Sequence, residues 1–353
     1  MLSDRRTAAS TPLLSIDYET IGDPSGPAVV LLHGFPYDVR AYDAVAETVA
    51  AAGARVVVPY LRGFGRTRFL DENTPRSGQQ AALGQDLIDL LDALDVERAV
   101  VAGYDWGGRA ACIAAALFPE RVDGLVTVGG YNIQDIAHSD SPSQPEWEKT
   151  YWYQYYFHSP RGRRGLEENR EALCELLWRD WSPTWIDAAK AFPASAASLH
   201  NPDFVDVVIH SYRHRYGLET GDPRYDELER RLEEAPTIGV PTIVLESGAD
   251  GVAPASVPAS PGSMNTACCQ TLDTTSRRKI PKRSLTPCSP SSLSRRPSEA
   301  ITQDRVTSIT VSRDPLLTSH IRSPDARDRN AFQDPRVLAG GTEHRARILA
   351  DRT

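Results

Sequence analysis

The chain has little cysteine, with five in 353 residues, at positions 112, 174, 268, 269 and 288. That spacing fits no metal site, and it leads to the expectation of a reduced, cytoplasmic setting. No apolar run approaches the roughly 20 residues that a membrane span needs. The opening MLSDRRTAAS lacks the apolar core of a signal peptide. An excess of positive charge is also missing: the formal net charge is -8, which argues against nucleic acid as a partner. No pattern calls for a metal or a cofactor, so a small-molecule substrate is the expected partner. The length allows one large or two ordinary domains with a sizeable core, and nothing in it gives the oligomeric state.

What is present centres on residues 99–118, AVVAGYDWGGRAACIAAALF. A run of small and β-branched residues ends at Gly103, as a buried parallel strand would. An Ala-rich segment of good helix propensity follows, and between them Tyr104-Asp105-Trp106 is flanked by glycines. Strand, tight turn and helix with glycines on both sides is the geometry of a nucleophile elbow. Here its centre is an aspartate. A carboxylate is a poor nucleophile for acyl transfer, since the product would be an anhydride. It suits displacement at a saturated carbon, with a halide or an epoxide oxygen leaving. The competing reading is that Asp105 simply caps the helix.

Elsewhere strand and helix alternate. Residues 15–19, 28–32, 55–59, 122–128 and 242–246 read as strands. Asp38 is placed to cap a helix over 41–52, and Ser77 to open one over 78–94, where Leu83, Leu87, Leu90, Leu91 and Leu94 keep a helical period. This alternation predicts an α/β fold, a mostly parallel sheet flanked by helices. Composition changes over 131–235, where Trp147, Trp152, Trp178, Trp181 and Trp185 fall in helix-like segments. The expected organisation is a core over 1–130, a helical cap over 131–235, the core resumed over 236–256, and a tail over 257–353. Most aromatics of the cap are expected to pack.

Taken together, HGFP, GYDWGG and the helical insertion resemble the α/β-hydrolase superfamily. Within it they resemble the epoxide hydrolases, with the haloalkane and haloacid dehalogenases next, over about Pro12 to Pro254. The resemblance implies Asp105 as nucleophile and backbone N–H groups of Phe35 and Trp106 as the oxyanion hole, with His33, Gly34 and Pro36 binding substrate. Tyr153-Gln154-Tyr155-Tyr156-Phe157 is similar to the YQxYF element whose first tyrosine binds the epoxide oxygen, and Tyr212 to the second tyrosine. Asp250 matches the acid that orients a histidine base, with Asp135 as a substitute seen in some relatives. As residues alone, Asp250-Gly251 is equally a turn pair.

One part of that pattern is missing. The family has a histidine in a Gly-His loop after one further strand, and this chain has none. His320 and His344 lie in Pro/Ser/Arg-rich sequence, and His210 and His214 sit in the cap, where they are expected to be solvated or hydrogen-bonded. Residues 257–353 hold 16 Lys and Arg against 9 Asp and Glu, so the tail carries about +7 and the first 256 residues about -15. Its composition cannot bury enough surface to fold. A frame-shifted tail accounts for both facts. New codons built from the third base of each residue and the first two of the next let Thr266 to Pro290 read RVLPDAGHNLPPEDPQALAHAVLAL. That string restores a strand, a Gly-His loop and an amphipathic helix in order. An epoxide-opening hydrolase whose chain as written lacks its base is therefore expected. A hydrolytic dehalogenase and a non-catalytic ligand-binding protein of the same fold are the alternatives. Sequencing the coding DNA across residues 255 to 290 tests the shifted frame: the second reading should encode Gly-His, and a stop codon there would exclude it.

Overall fold

A computed structural model of the chain describes residues 6–247, 251 and 269–273. Asp250, His320, His344 and most of the expected tail lie outside the described residues. The strands are β1 (Arg6–Ser10), β2 (Leu14–Gly22), β3 (Ala28–Leu32), β4 (Arg55–Pro59), β5 (Arg68–Phe69), β6 (Ala99–Gly103), β7 (Val122–Val128), β8 (Thr242–Glu246) and β9 (Cys269–Asp273). They form one sheet in the order β1-β2-β4-β3-β6-β7-β8-β9, with β5 beside β2. β2 pairs antiparallel with β1, β4 and β5, and every pairing from β4 to β9 is parallel. The Val- and Leu-rich runs of β3 and β4 are buried after their first residue, as strands covered on both faces should be.

The helices are α1 (Asp43–Ala51), α2 (Gln80–Ala93), α3 (Asp105–Leu117), α4 (Pro145–Thr150), α5 (Trp152–Phe157), α6 (Pro160–Glu168), α7 (Arg170–Trp181), α8 (Ala188–Ala196), α9 (Phe204–His214) and α10 (Asp226–Glu233). α3 packs on β3, β6 and β7 and lies beside α2, while α1 covers β2 and β4. Between β7 and β8 the chain leaves the sheet to build α4 to α9.

Four details depart from the sequence reading. The Asp38 carboxylate accepts the Arg40 N–H at 3.0 Å, yet it opens a 3-10 turn at Val39–Tyr42 before α1 begins. Ser77 accepts from the Gln79 N–H at 3.3 Å, but α2 starts at Gln80. Its first turn is satisfied from afar, because the Glu229 carboxylate on α10 accepts the Ala81 N–H at 3.1 Å and the Gln79 amide at 3.2 Å. α10 packs on α2 and α3 although composition put it in the 131–235 insertion. A strand also falls inside 257–353: β9 extends the ladder in register Thr242 with Cys269 to Glu246 with Asp273. Backbone pairing with β8 is largely indifferent to side chains, which is why composition did not signal it.

One buried ion pair fastens α2 to the loop after β4. Arg62 is 1% exposed and donates to both Asp86 oxygens at 2.6 Å. Its remaining N–H groups reach Ser77 O at 2.7 Å and the Tyr225 hydroxyl at 3.1 Å. Removing one partner of such a pair strands a buried charge, which costs about 3–5 kcal/mol. Asp86→Ala should lower the unfolding free energy by that amount in urea titration; a loss under about 1 kcal/mol would show that solvent reaches the pair.

Candidate active site

The turn between β6 and α3 leaves no room for side chains at Gly103 and Gly107. A Cβ at Gly103 would sit 2.4 Å from Gly107 O, and one at Gly107 would sit 2.0 Å from Leu32 O. Asp105 itself has φ +50°, a left-handed backbone rare for a non-glycine residue. Parallel pairing of β3 with β6 sets Leu32 against Gly103, which brings the His33-Gly34-Phe35-Pro36 turn alongside the elbow. There the Phe35 N–H donates to Asp105 Oδ1 at 2.8 Å. Gly34 makes this approach possible, since a Cβ on it would lie 2.6 Å from the Asp105 Cβ. The carboxylate thus accepts its hydrogen bond from across the sheet and not from its own helix, unlike a helix cap. Trp106 N–H belongs to the first turn of α3, whose donors have no acceptor within the helix.

Above the turn stands an aromatic wall. The Phe35 ring meets Trp106, Phe157, Trp181, Phe204 and Tyr212 at centroid distances of 5.4–6.3 Å. Tyr153 on α5 and Tyr212 on α9 lie edge to face 5.4 Å apart and are buried. Gln154 donates to the Tyr153 hydroxyl at 3.1 Å, and Tyr216 donates to Gln154 Oε1 at 3.0 Å. The Tyr212 hydroxyl is buried near Tyr153 but forms no hydrogen bond of ordinary geometry. Burial pushes both phenol pKa values up, and the Asp105 carboxylate adds to the push. Both tyrosines are therefore held as proton donors.

Pro36 is anchored as well, since its carbonyl accepts the Trp178 indole N–H at 3.1 Å. His33 is fully buried. Its Nε2 accepts the Leu61 N–H at 3.1 Å, so Nδ1 carries the proton to Gly34 O, also 3.1 Å away. Both ring nitrogens are occupied by backbone, and what His33 contributes to the site is the shape of the turn.

His158 borders this cluster, its Nε2 3.1 Å from Tyr212 O, while the remaining described histidines are engaged elsewhere. His210 Nδ1 accepts the Gly78 N–H at 3.1 Å, its Nε2 faces Thr220 O at 3.0 Å, and its ring stacks on His214. Asp135 is exposed and paired with the equally exposed His138 at 2.9 Å. Among the described residues no group of His, Cys, Asp and Glu is suited to hold a metal, and no helix is long and apolar enough to cross a membrane.

Two residues that sequence reasoning passed over also face this cluster. Arg109 lies one helical turn after Asp105, and Arg215 follows Tyr212 with its guanidinium 4.1 Å from the centre of that ring. Both are buried. An arginine inside the Ala-rich elbow helix was the available signal for the first. The second was hidden in HSYRHRY among other charges.

The alpha/beta hydrolase fold family matches residues 27–259. The chain belongs to that family. Within it, the similarity is to epoxide hydrolases. Epoxide hydrolase B of Mycobacterium tuberculosis is 30% identical over 200 residues, covering 53% of this chain and 56% of that protein. An epoxide hydrolase of Caballeronia sordidicola is 37% identical over 169 residues, covering 48% and 45%. The chain spans about half the length of these curated relatives. A crystal structure from Klebsiella pneumoniae, provisionally assigned as an epoxide hydrolase, superposes with a TM-score of 0.73 at 42% identity, covering 78% of this chain and 91% of that one.

Within this member of the alpha/beta hydrolase fold family, burial lowers the His33 pKa from 6.5 to about 4. An unfolded His33 binds a proton below about pH 6.5 while the folded one stays neutral. Its contribution is complete above that pH and is lost as pH falls towards 4, by on the order of 3 kcal/mol in all. His158, His210 and His214 shift the same way through burial and add to the slope. Melting temperature should therefore fall between pH 7 and 4.5 more steeply for the native chain than for His33→Asn. Parallel slopes would mean that His33 does not titrate in this range.

Proposed function

We propose that this chain opens epoxides with Asp105 as nucleophile. The observation that carries the reading is the placement of two buried, protonated tyrosines over a carboxylate held at a glycine-lined elbow. The Asp105 oxygen not bonded to Phe35 attacks a ring carbon, and that carbon's bond to the epoxide oxygen breaks. Tyr153 and Tyr212 donate to the oxygen as it becomes an alkoxide, and one of them supplies the proton. The product is an alkyl ester of Asp105. Water then attacks the ester carbonyl, with the Phe35 and Trp106 N–H groups as the oxyanion hole.

This second step needs a base to activate water, oriented by an acid such as Asp250. No described histidine adjoins Asp105 in the way the step requires. With the tail out of frame, the alkyl-enzyme accumulates, and the chain turns over once.

Intact-mass measurement after incubation with styrene oxide tests this reading. One added epoxide mass should appear, mapping to Asp105. Tyr153→Phe should slow its appearance by an amount on the order of 2–4 kcal/mol in the barrier, because one donor to the developing charge is gone. Sustained diol release would contradict the missing base, and a label elsewhere would remove Asp105 as nucleophile.

A second reading, hydrolytic dehalogenation, draws on the Trp106 indole N–H, which is buried without an acceptor and suits a departing halide. Labelling of Asp105 by a chloroalkane and not by styrene oxide would favour it.

A further inference from the structure

The cluster around Asp105 holds more positive charge than the proposed reaction uses. Arg109 and Arg215 are each only 7% exposed. Neither forms an ion pair among the described residues. Arg109 has one long hydrogen bond, from Nε to Asn132 O at 3.4 Å. Arg215 donates to Ser211 O and Ser211 Oγ, each at 3.3 Å, and lies against the Tyr212 face. Elsewhere in this protein a buried arginine is matched to a carboxylate, as Arg62 is to Asp86. Burying an unmatched guanidinium is costly, and here two lie close enough to repel.

Their position gives the excess a direction. Arg109 lies four residues after Asp105 in α3, close enough for the two charges to attract. Arg215 follows Tyr212, whose buried hydroxyl lies by Tyr153. The nucleophile offers one negative charge against two positive ones, and alkylation passes that charge to the departing epoxide oxygen. A single anion brought by the substrate would restore the balance throughout.

Resting on the epoxide-opening reading, we infer that Arg109 and Arg215 form an anion subsite and that the preferred substrates are small epoxides bearing a carboxylate close to the ring. A planar carboxylate suits guanidinium donors, which bind it through charge-assisted hydrogen bonds.

The test compares labelling of Asp105 by glycidate and by glycidol, which differ in carrying a carboxylate or a hydroxymethyl group on the same ring. The ratio of their rates should fall tenfold or more in Arg109→Gln and in Arg215→Gln, the effect of losing one charge-assisted hydrogen bond. Arg109→Lys and Arg215→Lys should keep most of the preference, because they keep the charge; a role in packing alone would not distinguish lysine from glutamine in this way. The lysine variants also carry the test if the glutamine variants do not fold. An unchanged ratio in the folded variants overturns the inference while leaving Asp105 labelling by styrene oxide intact. If no epoxide labels Asp105, the epoxide-opening reading fails by itself. The subsite is then decided by propanoate: a rise in melting temperature that the arginine variants lose supports it, and no rise overturns it.

Discussion

The hydrogen bond from the Phe35 N–H to the Asp105 carboxylate is the constraint on which this site depends. It joins the ends of two neighbouring parallel strands, β3 and β6, at the point where both chains leave the sheet. To make it, Asp105 adopts a backbone that a non-glycine residue avoids, and residues 34, 103 and 107 give up any side chain. A left-handed non-glycine residue costs on the order of 1–3 kcal/mol and persists only where its surroundings over-determine it. Here the β3–β6 ladder and the packing of α3 over β3, β6 and β7 supply that rigidity.

Phe35 serves the site twice. Its N–H holds the Asp105 carboxylate, while its ring packs in the aromatic wall. The same turn gives the Pro36 carbonyl to Trp178, and just after it the buried Asp38 accepts the Ser195 hydroxyl at 2.5 Å. Cap and elbow are therefore registered through one short segment, residues 33–38. A shift of α5 or α9 over the core would move Tyr153 and Tyr212 relative to Asp105 and would first have to unstack these rings. Most aromatics between β7 and β8 pack, as their size predicts, and the same packing buries the side chains of Tyr153 and Tyr212.

How much of this was legible beforehand follows from how local each signal is. Strands 28–32, 55–59, 122–128 and 242–246 are rich in β-branched and aliphatic residues, and their limits are those of β3, β4, β7 and β8. The elbow was legible because its glycines lie within two residues of Asp105. The start of α2 was less so, because Glu229, almost 150 residues away, satisfies its first turn. β9 could not be read from Cys269 to Asp273, since its partner is a backbone edge. Arg109 and Arg215 were missed for a different reason. An arginine in a sequence is ordinarily a solvated charge, and only burial without a carboxylate makes it informative.

Charge connects these observations. The hydroxyls of Tyr153 and Tyr212 stay neutral because they are buried, and His33 stays neutral because backbone groups hold both of its nitrogens in a dry site. The full charges at the centre are then the Asp105 carboxylate and the two guanidinium groups. On the proposed route the first step moves the negative charge from Asp105 to the departing oxygen, a few ångströms away, among donors already in place. Little reorganisation is required, which is where preorganised sites gain most of their advantage. The second step has no such provision among the described residues, because every neutral base near the turn is already engaged. The polarity of this site therefore favours forming the ester over releasing it, and release depends on a group that these residues do not supply.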